Sequence, residues 1–299
     1  MRRKSPMNSL RLRAMCIAWA AWLMACAGGA ANSTVTPEYE RTGFETEAGG
    51  LTSGFDISVS RAREDIKNRY EAVVQVRSER GACSGVFVTP EVVLTAAHCL
   101  CAPADPKSQA QVIDGSDCVT SATVMRGLHG SEEAPARGSP GDKGRVRVHP
   151  SFRAEMAGGK LKSNLADLAV VQLGRPVEGI KIDFQFPAQE VSIDEELTVV
   201  GFGETRHRGK DEGTRRVGHN AVTDIVLSSG GTGSFLFRAP GAHTHAGDSG
   251  GPCFRESPAG RWLVGFNSGH ANSGTVSWFT STFHFRAWLA EQLRKRDTD

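Results

Sequence analysis

The sequence predicts an all-β fold that ends in a single helix. Short runs of β-branched and apolar residues recur along the chain, such as Val-Val-Leu-Thr at 92–95 and Leu-Thr-Val-Val at 197–200. Turn residues separate these runs, and many short strands at close spacing are typical of a sandwich or a barrel. Near the C-terminus, apolar residues at helical spacing predict an amphipathic helix packed on the last barrel. Its apolar face comprises Phe285, Trp288, Leu289 and Leu293.

Composition supports a globular protein. Of the 299 residues, 39% are hydrophobic and 23% are charged, which suits a chain that buries a full core rather than a disordered one. The formal net charge is only +2, so the charge balance gives no indication of a nucleic-acid partner.

The first 26 residues are typical of a targeting segment. Basic residues between positions 2 and 13 precede an apolar stretch at 14–25 that is too short to span a bilayer. The stretch runs into Leu-Met-Ala-Cys-Ala at 23–27, which resembles a bacterial lipobox. That resemblance implies that Cys26 receives a diacylglyceryl group and becomes the new N-terminus. The alternative is an ordinary signal peptide cut near Ala30, and either reading predicts an exported chain.

Two further segments follow the targeting segment. Residues 27–56 are rich in small and polar residues, which predicts a flexible tether or pro-segment. Residues 57–295 carry the strand pattern and five of the seven cysteines. Export permits disulfides, and the odd count leaves at least one thiol free if all bridges are internal. Cys101 and Cys118 are candidates to close a loop, and Cys253 is expected to be a buried free thiol.

Three short motifs place a base, a carboxylate and a nucleophile in one chain. They are Thr-Ala-Ala-His-Cys at 95–99, Asp-Leu-Ala-Val at 167–170 and Gly-Asp-Ser-Gly-Gly-Pro at 247–252. A serine hydroxyl is a weak nucleophile, and an imidazole can take its proton near neutral pH. A carboxylate can fix the imidazole tautomer. Glycines around the serine allow a tight turn whose N–H groups point at a developing oxyanion.

With these motifs in the order His, Asp, Ser, residues 57–295 resemble the trypsin/chymotrypsin family; subtilisin-like enzymes and α/β-hydrolases use other orders. The resemblance implies a serine endopeptidase with His98, Asp167 and Ser249 as its catalytic triad. It also implies two antiparallel six-stranded Greek-key barrels, at roughly 57–175 and 176–283, with the active site between them.

The same resemblance assigns supporting residues. The N–H groups of Gly247 and Ser249 match the oxyanion hole, and Ser268 matches the serine that contacts the triad aspartate. Cys83 and Cys99 match the disulfide beside the catalytic histidine.

The expected start of the mature family domain is missing. A basic residue followed by Ile-Val-Gly-Gly does not occur, and the nearest sequence is Asp-Ile-Ser-Val at 56–59. In the family a freed terminal amine pairs with the aspartate before the nucleophile, here Asp248. Activation by that route is therefore in question, and Asp248 is open to another partner such as an arginine.

The residues at the specificity pocket are also unusual. His243 matches the pocket floor, while His270 and Ser277 match its walls. No carboxylate is present there to pair with a basic side chain. The sequence therefore predicts poor cleavage after Arg or Lys and a preference for Glu, Asp or small residues. The alternative is a narrow polar pocket of modest selectivity.

The remaining expectations concern partners and location. We expect no cofactor, and no metal site because His243 and His245 lack a third ligand at useful spacing. The expected partner is a protein or peptide substrate, with no nucleic acid, and with membrane contact only through the lipid anchor. The protein is expected to be a monomer, either a membrane-anchored lipoprotein or secreted or periplasmic. A catalytically silent binding or regulatory module on the same fold is the alternative, although all three triad residues are present.

Overall fold

The computed structural model describes residues 62–103, 110–127, 129, 141–157, 160–205, 212–227, 233–238, 240–271 and 275–294. The predicted targeting segment, with Cys26, and the predicted tether lie outside these residues. Within the described ranges, no helix is long and apolar enough to cross a membrane.

The described chain is built almost entirely of antiparallel strands, which bears out the predicted all-β class. The elements in chain order are β1 (Arg63–Glu64), β2 (Val73–Ser78), β3 (Gly81–Thr89), β4 (Val92–Thr95), a 3₁₀ helix η1 (Ala97–Cys99), β5 (Cys101–Pro103), β6 (Ala110–Cys118), β7 (Ser121–Met125), β8 (Asp142–Val148), β9 (Arg153–Ala157), β10 (Lys160–Leu165), β11 (Ala169–Leu173), β12 (Glu196–Gly201), β13 (Arg216–Ala221), β14 (Asp224–Leu227), β15 (Gly233–Phe237), β16 (Pro252–Ser257), β17 (Gly260–Ala271), β18 (Val276–Ser281) and an α-helix α1 (Arg286–Arg294).

Six strands close the first barrel in the order β11-β4-β3-β2-β7-β8. Strand β11 shows why the sequence folds this way, because all five of its residues are buried, including Gln172. A strand covered on both faces is a continuous apolar run rather than an alternating one. It pairs with β4, where Val171 lies opposite Val93, and with β8, where Val171 lies opposite Val146.

Seven strands from the second half of the described chain, together with β1 from its start, form one eight-stranded sheet in the order β1-β13-β12-β16-β17-β18-β15-β14. Its core is aromatic, since Phe235 stacks on Phe279 with ring centroids 5.1 Å apart and Phe237 packs against the same ring at 4.7 Å. A further four-stranded sheet, β10-β9-β6-β5, extends from the first barrel. It leads directly to the segment between β10 and β11 that carries Asp167.

The C-terminal helix is present, and Phe285 and Leu289 on its apolar face are buried. Phe285 and Trp288 pack against the ring of His149, with centroid distances of 5.2 Å and 4.9 Å. His149 directly follows β8, so the helix contacts the first barrel, which the prediction of packing on the last barrel missed. Helical periodicity identifies the buried face but not the surface that covers it.

Candidate active site

His98 lies on the short 3₁₀ helix that follows β4 of the first barrel. Its neighbour Cys99 is bonded to Cys83 on β3, which ties this turn to the barrel wall. The side chain of His98 is 26% exposed, so its ring is open to a ligand on one side. The backbone therefore holds the histidine at the surface of a rigid barrel.

Asp167 is fully buried in the short connection between β10 and β11. Its carboxylate accepts a hydrogen bond from the backbone N–H of His98 at 2.9 Å and lies 2.7 Å from Nδ1 of the same residue. Asn164 Nδ2 also donates to the carboxylate at 3.1 Å. The residue before it, Ala166, has φ of 50°, a left-handed conformation that non-glycine residues seldom adopt.

The imidazole of His98 and the carboxylate of Asp167 act on each other's pKa. Burial favours the neutral imidazole, but the charge and hydrogen bond of Asp167 outweigh burial and raise the pKa of His98. Burial would by itself raise the pKa of Asp167, but His98 and Asn164 together hold it below its usual range. Asp167 is therefore ionised at neutral pH and positioned to stabilise a protonated imidazole.

The turn that carries Ser249 packs directly against the strand that leads to His98. Ser84 on β3 donates its backbone N–H to the carbonyl of Ser249 at 2.8 Å. A Cβ added to Gly250 would overlap Thr95 Oγ1 and lie 2.7 Å from the backbone nitrogen of Ala96. Among the described residues, no side-chain hydrogen bond joins Ser249 to His98, and such bonds are often loose before substrate binds.

Two backbone N–H groups of this turn are open to a ligand. Asp248 donates to His245 O, Gly250 donates to Asn267 O, and Gly251 donates to Asp248 O. In the described part of the chain, the N–H groups of the two remaining residues, Gly247 and Ser249, have no such acceptor. Gly247 has φ of 91° and Gly250 has φ of 77°, so glycine permits the turn that produces this arrangement.

Ser268 has a different hydrogen bond from the one that the sequence predicts. Its hydroxyl lies 2.6 Å from Thr280 Oγ1. The described hydrogen bonds to the carboxylate of Asp167 come from His98 and Asn164. Asn164, and not Ser268, is therefore the further side chain that contacts Asp167, and no motif in the sequence pointed to it.

The three predicted pocket residues differ in exposure. His243 and Ser277 are buried, and His243 Nδ1 lies 3.0 Å from Ser277 Oγ. His243 Nε2 lies 3.4 Å from Nδ2 of Asn220 on β13. His270 on β17 is exposed, and its ring lies 5.7 Å from that of His245. The structure therefore brings His243 and Ser277 together and places His270 nearer to the surface.

Among the five cysteines that the structure describes, four form two disulfides, Cys83–Cys99 and Cys101–Cys118. Cys253 is a buried free thiol whose pKa is raised by burial and by Glu195. Within the described ranges, no group of three or more His, Cys, Asp or Glu side chains is arranged to hold a metal ion.

Comparison with known proteins identifies the family. A family model described as Trypsin matches residues 57–289. The chain belongs to the trypsin family. It is therefore of the serine protease kind, and its disulfides and family together indicate an exported protein.

The proteins that are similar to this chain share only a modest fraction of its residues. A trypsin-like protease from Streptomyces glaucescens is 26% identical over 230 residues, which cover 70% of this chain and 74% of that protein. Phenoloxidase-activating factor 3 from Holotrichia diomphalia is 23% identical over 277 residues, covering 82% of this chain and 74% of the relative. A mutant of human heparin binding protein superposes with a TM-score of 0.58 at 18% identity, over 80% of this chain and 98% of the other, which supports the fold.

Proposed function

We propose that the protein is an active serine endopeptidase with His98 as base, Asp167 as the residue that orients it and Ser249 as nucleophile. The observation that carries the proposal is the contact of the partly exposed His98 with the buried Asp167, at 2.7 Å, beside the turn of Ser249. A base, its orienting carboxylate and a serine next to two open N–H groups form the arrangement that acyl transfer requires.

The proposed reaction proceeds in two halves. Oγ of Ser249 forms a bond to the scissile carbonyl carbon while its proton passes to Nε2 of His98. The carbonyl oxygen becomes an oxyanion that accepts hydrogen bonds from the N–H groups of Gly247 and Ser249. The C–N bond then breaks, and His98 returns the proton to the leaving amine. Water attacks the resulting ester with His98 again as base, which releases the acid and restores Ser249.

A catalytically silent binding module is the second candidate. The name of the structural neighbour, heparin binding protein, shows that a similar fold carries a binding function. Loss of a triad residue would favour this candidate, but His98, Asp167 and Ser249 are all present in the chain. We therefore favour the enzyme.

Profiling against a peptide library distinguishes the two candidates. The purified wild-type protein should cleave a defined set of peptides, and the Ser249→Ala variant should cleave none while melting at the same temperature. A folded wild-type protein that cleaves no peptide would overturn the proposal, as would an active Ser249→Ala variant.

The pocket contacts suggest which side chain the enzyme accepts at P1, the residue before the cleaved bond. Asn220 Oδ1 accepts the N–H of Ala221 at 2.8 Å, so its Nδ2 faces His243 as a donor. This contact fits a neutral His243 that accepts on Nε2 and donates from Nδ1 to Ser277 Oγ. A neutral floor favours small or polar P1 side chains at neutral pH, and acidic ones gain as the pH falls.

The predicted anchor is a separate proposal that rests on Leu-Met-Ala-Cys at 23–26. Lipidation of Cys26, with residues 27–56 as a tether, would hold the peptidase domain near a membrane surface. Mass spectrometry of the membrane fraction should then find a diacylated N-terminus at Cys26 that is lost in Cys26→Ser. An unmodified N-terminus near Ala31 would contradict it.

A further inference from the structure

The carboxylate of Asp248 is already held on both oxygens by the chain itself. Oδ1 accepts the backbone N–H of Gly203 at 2.8 Å, and Oδ2 accepts the backbone N–H of His245 at 2.9 Å. A Cβ added to Gly201 or Gly203 would overlap this carboxylate. The strand end and the loop after it are therefore shaped around Asp248, the residue that directly precedes Ser249.

Arg216 is linked to Asp248 through one residue, Gly203. The guanidinium of Arg216 on β13 donates from Nη1 to the carbonyl of Gly203 at 3.1 Å. The N–H of the same residue, Gly203, donates to Asp248. The positive charge of Arg216 also lowers the pKa of Asp248, although burial outweighs it and the net pKa is raised to about 6. The cation therefore favours the ionised carboxylate.

Ser84 holds the other side of the same turn. Its hydroxyl, which is completely buried, donates to the carbonyl of Gly247 at 2.8 Å and accepts the N–H of Phe202 at 2.9 Å. Its own carbonyl accepts the hydroxyl of Thr95 at 2.8 Å. The side chain of Ser84, from the first barrel, thus fixes the carbonyl group of Gly247. The N–H of the same residue is one of the two proposed oxyanion donors.

We propose that Ser84 and Arg216 are positioning residues that preassemble the oxyanion turn, so that the uncleaved chain reacts without a freed N-terminal amine. This inference rests on the proposed function, because it concerns how the same nucleophile becomes competent. Preorganised donors are effective because they need no rearrangement when charge develops. The absence of Ile-Val-Gly-Gly from the sequence is consistent with an internal partner for Asp248.

The first test uses the uncleaved chain. A preparation that retains residues 27–56, verified by intact mass, is treated with a fluorophosphonate probe, whose phosphorus bonds to Ser249 Oγ as fluoride leaves. We expect full labelling at a rate within about threefold of a preparation cleaved before residue 57. Labelling of the cleaved chain alone would overturn the inference and leave the proposed function intact. Labelling of neither form would contradict the proposed function itself.

Variants then test the two positioning residues. Ser84→Ala leaves two backbone groups without their partner, and Arg216→Met removes the charge. Each should reduce the labelling rate about tenfold or more. In peptide hydrolysis the loss should lie in kcat rather than KM, because the ground state of the substrate does not use the oxyanion donors. Arg216→Lys should restore most of the rate. The exposed Arg175, changed to Met, is the matched control and should label like wild type.

The pH dependence separates a positioning role from general loss of stability. Without Arg216 the pKa of Asp248 should rise further, so the rate ratio of Arg216→Met to wild type should fall at mildly acidic pH and recover at higher pH. Glu204 and His243 also line the cavity beside Asp248 and Arg216 and feel the same loss of charge. The ratio is therefore measured again with Glu204→Gln, and separately with His243→Gln, present in both proteins, and its pH dependence should persist in each. A ratio that stays constant with pH, or an unimpaired Arg216→Met variant of normal melting temperature, would overturn the role of Arg216.

Discussion

Gly250 lies so close to Thr95 that a side chain at position 250 would not fit. An added Cβ would overlap Thr95 Oγ1 and approach Ser84 O to 2.5 Å. Thr95 ends β4, and His98 follows on the next turn. This contact sets the proposed nucleophile next to the proposed base, although the two are far apart in the sequence.

Gly250→Ala should therefore reduce both stability and activity. Its φ of 77° is strained for alanine by about 1–2 kcal/mol, and the overlap with Thr95 adds to that cost. Gly179→Ala is the matched control, because its φ is 68° and nothing lies within 4 Å of the added Cβ. Thermal unfolding should show a clearly larger loss at Gly250, with activity lost only there. Equal losses at the two sites would mean that the contact with Thr95 is unimportant.

The raised pKa of His98 makes the pH profile a test of its partner. Because Asp167 raises that pKa, wild-type kcat/KM should fall as the pH drops through a value above 6.5. In Asp167→Asn only burial remains, so the acid limb should move to lower pH. The rate at its maximum should fall by about 10⁴-fold, as it does where the tautomer is lost in such triads. An acid limb that does not move would exclude Asp167 as the partner.

Sequence motifs alone point to the three proposed catalytic residues. His98, Asp167 and Ser249 each lie in a short motif, and the apolar runs at 92–95 and 197–200 predicted two of the strands. Asn164, Ser84 and Arg216 could not be found this way. Ser84 and Arg216 contact backbone groups of other segments, and Asn164 makes a single side-chain contact with Asp167, three residues further on. Such contacts leave no periodic or motif signal.

Ser268 and the C-terminal helix illustrate the same limit. The sequence places Ser268 on the correct strand, but Ser268 lies at a register shift between β17 and β18, and its hydroxyl lies 2.6 Å from Thr280 Oγ1 instead of contacting Asp167. The helix face was predictable from periodicity, whereas its contact with His149 depends on how the strands meet in space. A local sequence pattern predicts the helix or strand, whereas the residues that it contacts depend on how the elements pack in the folded chain.

Substitution of His243 tests the assignment of the pocket floor. His243→Asp places a carboxylate where a basic P1 side chain would end, so kcat/KM for Arg substrates should rise at least tenfold relative to small P1 residues. In the wild type, the ratio of rates for acidic and neutral P1 substrates should increase as the pH falls, since protonation of His243 adds a positive charge. Wild-type cleavage fastest after Arg would show that His243 is not on the floor.

The most direct test of the central claim is stoichiometric labelling by a fluorophosphonate probe, measured by intact mass and peptide mapping. Activation of a serine hydroxyl requires its base, so we predict one adduct per chain, on Ser249, that is absent in Ser249→Ala and slowed by orders of magnitude in His98→Ala. Arg175→Gln, a change at the exposed surface, should label at the wild-type rate. A folded wild-type protein that takes up no adduct, or an adduct that persists in Ser249→Ala, would contradict the claim.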